Sequence, residues 1–289
     1  MTDVSAPLPD EFRQAVARHA TELGGFARDI HYYEQAGSTN DLAAVLAGGG
    51  VPEGTVVLAA AQTAGRGRQR RQWHSPPGGG LYFSVVFRPR DAQVGDGDAG
   101  ALLVAPQTSL LTLMAGEAVA DGISRATGLE AALKWPNDLV VEAAAPACVS
   151  AWRKLGGILA EASVEGERVR HVVVGIGINV RPAAYPPEVR DRATSLESEL
   201  GREVDAATVF AACLAALARG RSDLVEGRAR LVLERWRRRA PSAVGRHVTW
   251  EGPDGPWHGV TRGVDDTGAL LIEHEGRVVR VVAGDVLWT

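Results

Sequence analysis

The sequence predicts an α+β fold closing in a small all-β unit, on three observations. Apolar runs rich in β-branched residues recur between residues 55 and 180. Apolar stripes at helical spacing cover 107–127 and 210–239, and from residue 245 five short strand-like runs follow closely.

Taken in order, residues 11–23 read as a short helix that Gly24 and Gly25 end. Residues 55–61 (TVVLAAA) and 81–88 (LYFSVVFR) read as core strands, joined by a long polar, glycine-studded segment of the kind that is usually functional or disordered. Residues 90–100 are acidic and Gly-rich, a solvated excursion. Leu110, Leu113, Met114 and Ala118 then form a core stripe, with Gly128 as its stop. Three more strand regions, 133–141, 156–163 and 169–180, are interrupted by an Ala-rich insert at 143–152. A helix over 210–239 ends in Arg237, Arg238 and Arg239, placed where cations complement C-terminal carbonyls. Beyond Pro241, strands at 247–250, 259–264, 269–273, 277–282 and 286–288 alternate with turn signals such as Thr267-Gly268 and Glu275-Gly276, which imply a small barrel.

Composition narrows the function. A net charge of -4 gives the chain no overall attraction to nucleic acid or an anionic membrane. Cys148 and Cys213 lack disulfide or zinc spacing, and no apolar run is long enough to span a bilayer, so a cytoplasmic protein is expected. Of 31 basic side chains only Lys134 and Lys154 are lysine. A lysine kept among arginines supplies a compact ammonium on a flexible stem, although coding bias alone would also leave a few.

Four strings carry chemistry. Residues 62–73 (QTAGRGRQRRQW) interleave Arg66, Arg68, Arg70 and Arg71 with glycines and hold no acid; close backbone approach and guanidinium forks suit a phosphate or carboxylate. A solvated basic loop is the plain alternative, and a nucleic-acid arm with Trp73 as stacking platform is a third. Ser38-Thr39-Asn40 is either a helix cap or a set of hydrogen-bonding groups for a small polar ligand. Residues 133–139 (LKWPNDL) break a strand at Pro136 and bring Lys134 near Asp138, a carboxylate able to meet Mg²⁺ beside phosphates. Lys154 stands just before Gly156 and Gly157, and residues 175–179 (GIGIN) end a strand with close-approach glycines and Asn179.

In this order, the Ser-Thr-Asn triplet, the GRGRxxR loop ending in Trp, KWPNDL, Lys-Leu-x-Gly-Ile and GxGxN resemble the biotin-protein ligases. The resemblance implies a mixed β-sheet catalytic domain backed by helices over 31–240, an N-terminal extension over 1–30 and an SH3-like barrel over 241–289. It implies a two-step reaction in which biotin and MgATP give biotinyl-5'-adenylate, whose acyl group passes to a lysine of a carboxylase's biotin-carrier domain. By matching motif, Ser38, Thr39, Asn40, Gln62 and Gly157 would bind biotin. Arg66, Gly67 and Arg68 would form a lid over the adenylate, and Lys154 would bridge carboxylate and α-phosphate. Arg71, Trp73, Lys134 and Asn179 would serve ATP, and Asp138 the metal. Lipoate-protein ligases are the nearest rival, disfavoured by the GRGRxxR and KWPNDL strings.

Three departures stand out: Arg70 occupies a loop position commonly Gly, the 143–152 insert lengthens the path from Asp138 to Lys154, and the segment before Ser38 is too short for a three-helix DNA-reading domain. The chain thus resembles the single-function ligases, with no DNA or membrane partner expected and a homodimer compatible with the sequence.

Overall fold

The structure is a computed structural model that describes residues 4–88, 105–142, 152–165, 168–183, 185–252, 255–282, 284 and 286–288. The acidic stretch at 90–100 and the insert at 143–151 lie outside the described residues. Trp152, assigned from sequence to the insert, instead opens a strand.

Helices α1 (Asp10–Arg18) and α2 (Ala20–Leu23) precede β1 (Ile30–Tyr33), α3 (Thr39–Gly48), β2 (Val56–Ala59), β3 (Gly80–Phe87) and α4 (Ala105–Thr127). The KWPND string is the turn of a hairpin between β4 (Ala132–Lys134) and β5 (Asp138–Glu142), followed by the long pair β6 (Trp152–Glu165) and β7 (Arg168–Asn179). Helices α5 (Pro187–Arg190), α6 (Leu196–Leu200), α7 (Ala206–Val225) and α8 (Ala229–Arg239) lead to β8 (Val244–Gly252), β9 (Gly255–Val264), β10 (Leu270–His274), β11 (Arg277–Val281) and β12 (Val286–Trp288). The single helix expected over 210–239 is two, broken where Gly227 takes φ +75°.

The first seven strands form one mixed sheet in the order β1-β2-β3-β7-β6-β5-β4, parallel only between β1 and β2. Because side chains alternate across a strand, this sheet has two distinct faces. Leu81, Phe83, Ile158, Ile176 and Ile178 point into the core with Leu113, Met114 and Phe210 of α4 and α7. There Phe83 and Phe210 meet edge to face at 5.1 Å. Cys213 belongs to this packing; burial pushes its thiol pKa up, which makes it an inert core residue.

On the opposite face α3 covers the β1-β2-β3 side through Ala43 and Ala47, packed with Val57, Ala59 and Val173. Gly157 of β6 and Gly175 and Gly177 of β7 lie on that same face. The last five strands make an antiparallel sheet in the order β11-β10-β9-β8-β12. Its Trp250, Val264, Leu270 and Ile272 share a core with Leu133 and Trp135, and Trp135 Nε1 donates to Gly268 O at 3.0 Å. Arg237, Arg238 and Arg239 fall in the last turn of α8, and two of them also reach beyond it: Arg237 Nη2 donates to Val264 O at 2.8 Å and Arg239 pairs with Glu130.

Candidate active site

Strand register aligns the site's floor. Asp138 stands opposite Lys134 on one side and Gly157 on the other, Gly157 faces Gly177, and Gly177 faces Tyr82. Cross-strand partners share a face, so this row runs Lys134, Asp138, Gly157, Gly177, Tyr82. Two adjacent residues without side chains leave a groove between a charged end and an aromatic end.

Lys154 reaches that row because β6 carries a bulge: the register shifts between Leu139 and Val140. Regular alternation would put Lys154, three residues before Gly157, on the core face; the extra residue turns Leu155 into the core and Lys154 outward. Its Nζ donates to Asp138 Oδ1 at 2.6 Å and lies 5.4 Å from the centre of the Trp73 ring.

Trp73 covers the two glycines. A Cβ at Gly177 would lie 2.5 Å from its Cε2, and one at Gly157 would lie 3.5 Å from its Cζ3. The indole Nε1 is buried without a hydrogen-bond partner among the described residues.

The arginine loop is a hairpin over this floor. Trp73 N donates to Gly65 O at 2.9 Å, Gly67 N to Arg71 O at 2.7 Å, and Arg66 bridges Gln72. Its tip puts Gln69 at φ 54° and Arg70 at φ 60°. Both are left-handed, the conformation that favours glycine, which gives the departure at position 70 a physical meaning. Arg68 turns inward, donating to Asn137 Oδ1 at 3.5 Å and to Gly284 O of the C-terminal sheet at 3.3 Å. Arg70 and Arg71 are exposed, with Arg71 Nη2 3.5 Å from Gln69 Oε1.

At the α3 side, Ser38 is the N-cap residue without a side-chain capping bond, and it is buried with Thr39 and Asn40. Thr39 N and Oγ1 both donate to Gln62 Oε1, at 2.8 and 3.1 Å, while Gln62 Nε2 donates to Ser75 Oγ at 2.8 Å. Asn40 accepts from Ser84 Oγ at 2.6 Å and donates to Glu161 Oε2 at 2.7 Å. Arg66 Nη2 closes the cluster on Glu161 at 2.6 Å and Asp41 at 2.8 Å. Asn179 is buried beneath, its Nδ2 donating to Thr194 O at 2.9 Å and Lys154 O at 3.4 Å.

The structure therefore gathers Lys154, Asp138, Trp73 and Gly157 in one cluster and Thr39, Asn40, Gln62 and Arg66 in another. Lys134 lies on the Asp138 row, with its Nζ 5.7 Å from the centre of the Trp288 ring. Arg71 stays on the hairpin's exposed edge. Residues that sequence reading missed are the partners: Ser75, Ser84, Asn137 and Glu161. Glu161 was reachable, because 157, 159 and 161 must share a face. Tyr82 closes the aromatic end, its hydroxyl bonded to Pro76 O at 3.2 Å; burial pushes its pKa up, so it stays protonated.

Among the described residues, no cluster of three or more His, Cys, Asp or Glu could hold a metal. Asp138 is one carboxylate, and Mg²⁺ is commonly held by one or two carboxylates together with substrate phosphates. Among the described residues the donor set fits an ion arriving with a nucleotide.

Residues 34–179 match the biotin/lipoate A/B protein ligase family, and residues 243–287 match the biotin protein ligase C-terminal domain. The chain belongs to the biotin/lipoate A/B protein ligase family. Among family relatives, the biotin--[acetyl-CoA-carboxylase] ligase of Mycobacterium tuberculosis is 32% identical over 302 residues, spanning 99% of each chain. The bifunctional ligase/repressor BirA of Bacillus subtilis is 32% identical over 280 residues, spanning 96% of this chain and 79% of its own. The structure of the Aquifex aeolicus biotin protein ligase in complex with biotin and ATP superposes with a TM-score of 0.71 at 26% identity, covering 91% of this chain and 99% of that one. Among the described residues no helix is long and apolar enough to cross a membrane.

Proposed function

We propose that this chain is an ATP-dependent biotin protein ligase. It joins biotin to ATP as biotinyl-5'-adenylate and then to a lysine of a carboxylase's biotin-carrier domain. Family membership supports the class, and one observation carries the site: the bulged Lys154 ammonium above a two-glycine floor, flanked by Asp138 and covered by the arginine hairpin.

In the first step a biotin carboxylate oxygen attacks the α-phosphorus, the bond to the bridging oxygen breaks, and pyrophosphate leaves. Two anions must approach, so fixed cations that match the charge developing at phosphorus lower the barrier most. Lys154 serves as that charge, bridging carboxylate and α-phosphate, and Lys134 serves the nucleotide at the far end of the row. The buried Ser38, Thr39 and Asn40, with the half-buried Gln62, offer hydroxyl and amide groups to the biotin head. Trp73 gives the nucleotide an aromatic face. Mg²⁺ bound with ATP would meet Asp138 and offset phosphate charge.

In the second step the carrier lysine, as free amine, attacks the acyl carbon; AMP departs and the amine loses its proton to form an amide. Arg66, Gly67 and Arg68 form the lid that holds the adenylate between the steps. Arg71 and Asn179 complete the nucleotide side, Asn179 by holding the Lys154 backbone. The reading assigns residues 31–240 to the catalytic domain and 241–289 to the small C-terminal domain.

The test is incubation with labelled biotin, MgATP and a biotin-carrier domain, with lipoate in parallel. Carrier labelled from biotin alone is the expected result. Labelling from lipoate alone would assign the chain to the other branch of the family. Salt-sensitive DNA binding without labelling would revive the arginine loop as a nucleic-acid arm.

A further inference from the structure

We propose that Trp288, on the last strand of the C-terminal sheet, is a positioning residue for Lys134 and thereby for ATP; this rests on the ligase reading above. Lys134 Nζ sits over the Trp288 ring, 5.7 Å from its centre. Trp288 is anchored by pairing with Val248 in the β12–β8 ladder, so its ring is carried by a sheet edge rather than a loose tail.

The indole N–H of Trp288 is buried and without a hydrogen-bond partner among the described residues. A buried, unpartnered donor is a burden that Phe or Leu would avoid. What indole offers here is its ring face, the most attractive of the aromatic faces to a cation. A lysine stem has four rotatable bonds, and holding its ammonium beforehand removes an ordering cost that ligand binding would otherwise meet.

Two further bonds tie the same sheet to motif residues of the catalytic unit. Gly268 O accepts from Trp135 Nε1, beside Lys134, and Gly284 O accepts from Arg68 Nη2. The C-terminal sheet thus touches both the KWPND turn and the lid, and Trp288 meets the Lys134 ammonium with a ring face.

The full-length chain is compared as wild type, Trp288→Phe and Trp288→Leu, with Leu287→Ala as an exposed control on the same strand. Binding of a non-hydrolysable ATP analogue is measured by calorimetry, and ATP KM and kcat by pyrophosphate release. Weakening should be graded, with Phe slightly weaker than wild type and Leu roughly three- to thirtyfold weaker for ATP. Biotin affinity should be unchanged, as should both ligands in the control. In a Lys134→Gln background, Trp288→Leu should cost nothing further.

An ATP affinity insensitive to Trp288, or an equal loss with and without Lys134, would overturn the proposal. If Trp288→Leu fails to fold, the Phe variant and its coupling to Lys134→Gln decide the matter alone. A wild type that binds no ATP would refute the ligase reading itself, a different result from ATP binding that ignores Trp288.

Discussion

Lys154 Nζ and Asp138 Oδ1 lie 2.6 Å apart on neighbouring strands whose register shifts beside them. The pair holds a point charge at the edge of the glycine floor before any substrate arrives. An arginine there keeps the charge and broadens it into a planar fork too wide to sit between two anions. Lys154→Arg should fold normally and lose roughly 10²- to 10³-fold in adenylate formation, the scale of removing one aimed transition-state donor. Biotin-dependent pyrophosphate release together with a thermal melt checks it; normal release by a folded variant would remove Lys154 from the chemistry.

Gly177 tests whether the floor must be bare. A methyl group there would lie 2.5 Å from Trp73 Cε2, well inside contact distance, so the indole has to leave its seat. Gly177→Ala should shift tryptophan fluorescence and weaken biotin binding by about tenfold or more, with a smaller effect on melting. Unchanged biotin binding would place the ligand elsewhere on the sheet.

Position 70 offers the opposite kind of change. Arg70 is exposed and held at φ 60°, where a Cβ crowds the following carbonyl. Arg70→Gly removes that strain and should stabilise the hairpin by about 1 kcal/mol. Slower amide exchange at Gly67 and Trp73, the two N–H groups that close the hairpin, is the measurement. Faster exchange would mean that glycine's added freedom outweighs the relieved strain.

How much of this was legible beforehand depends on the range of the interaction involved. The helical stripe of α4, the strands at β3 and β7 and the turn at Pro136 follow from local periodicity and breakers. β1 was invisible, since four residues, IHYY, carry no alternation worth reading; the strand exists because β2 pairs with it. The motif strings named the side chains, but not the bulge that turns Lys154 toward Asp138. Nor did they name partners such as Glu161 for Arg66 or Trp288 for Lys134, far apart in sequence and joined only by the tertiary fold. Arg237 and Arg239 show the same limit: their place in the last turn of α8 was legible, and their partners Val264 and Glu130 were not.

Arg68 is where the lid, the KWPND turn and the C-terminal sheet meet, through Asn137 Oδ1 and Gly284 O. An acyl-adenylate is a reactive mixed anhydride, and modifying one carrier lysine requires that it stay bound until that lysine arrives. Arg68→Gly deletes the guanidinium and its bonds to Asn137 and Gly284 while leaving Lys154 and the floor intact. The variant should still consume biotin and ATP but release the adenylate, labelling surface lysines of a bystander protein that wild type leaves unlabelled. Self-labelling will be slight, because the chain has only two lysines. Mass spectrometry of the bystander, with labelled biotin and no carrier domain, reads the leak directly. A variant that leaks no more than wild type would shift retention from Arg68 to Arg66, whose hold on Glu161 and Asp41 would then be the closure that matters.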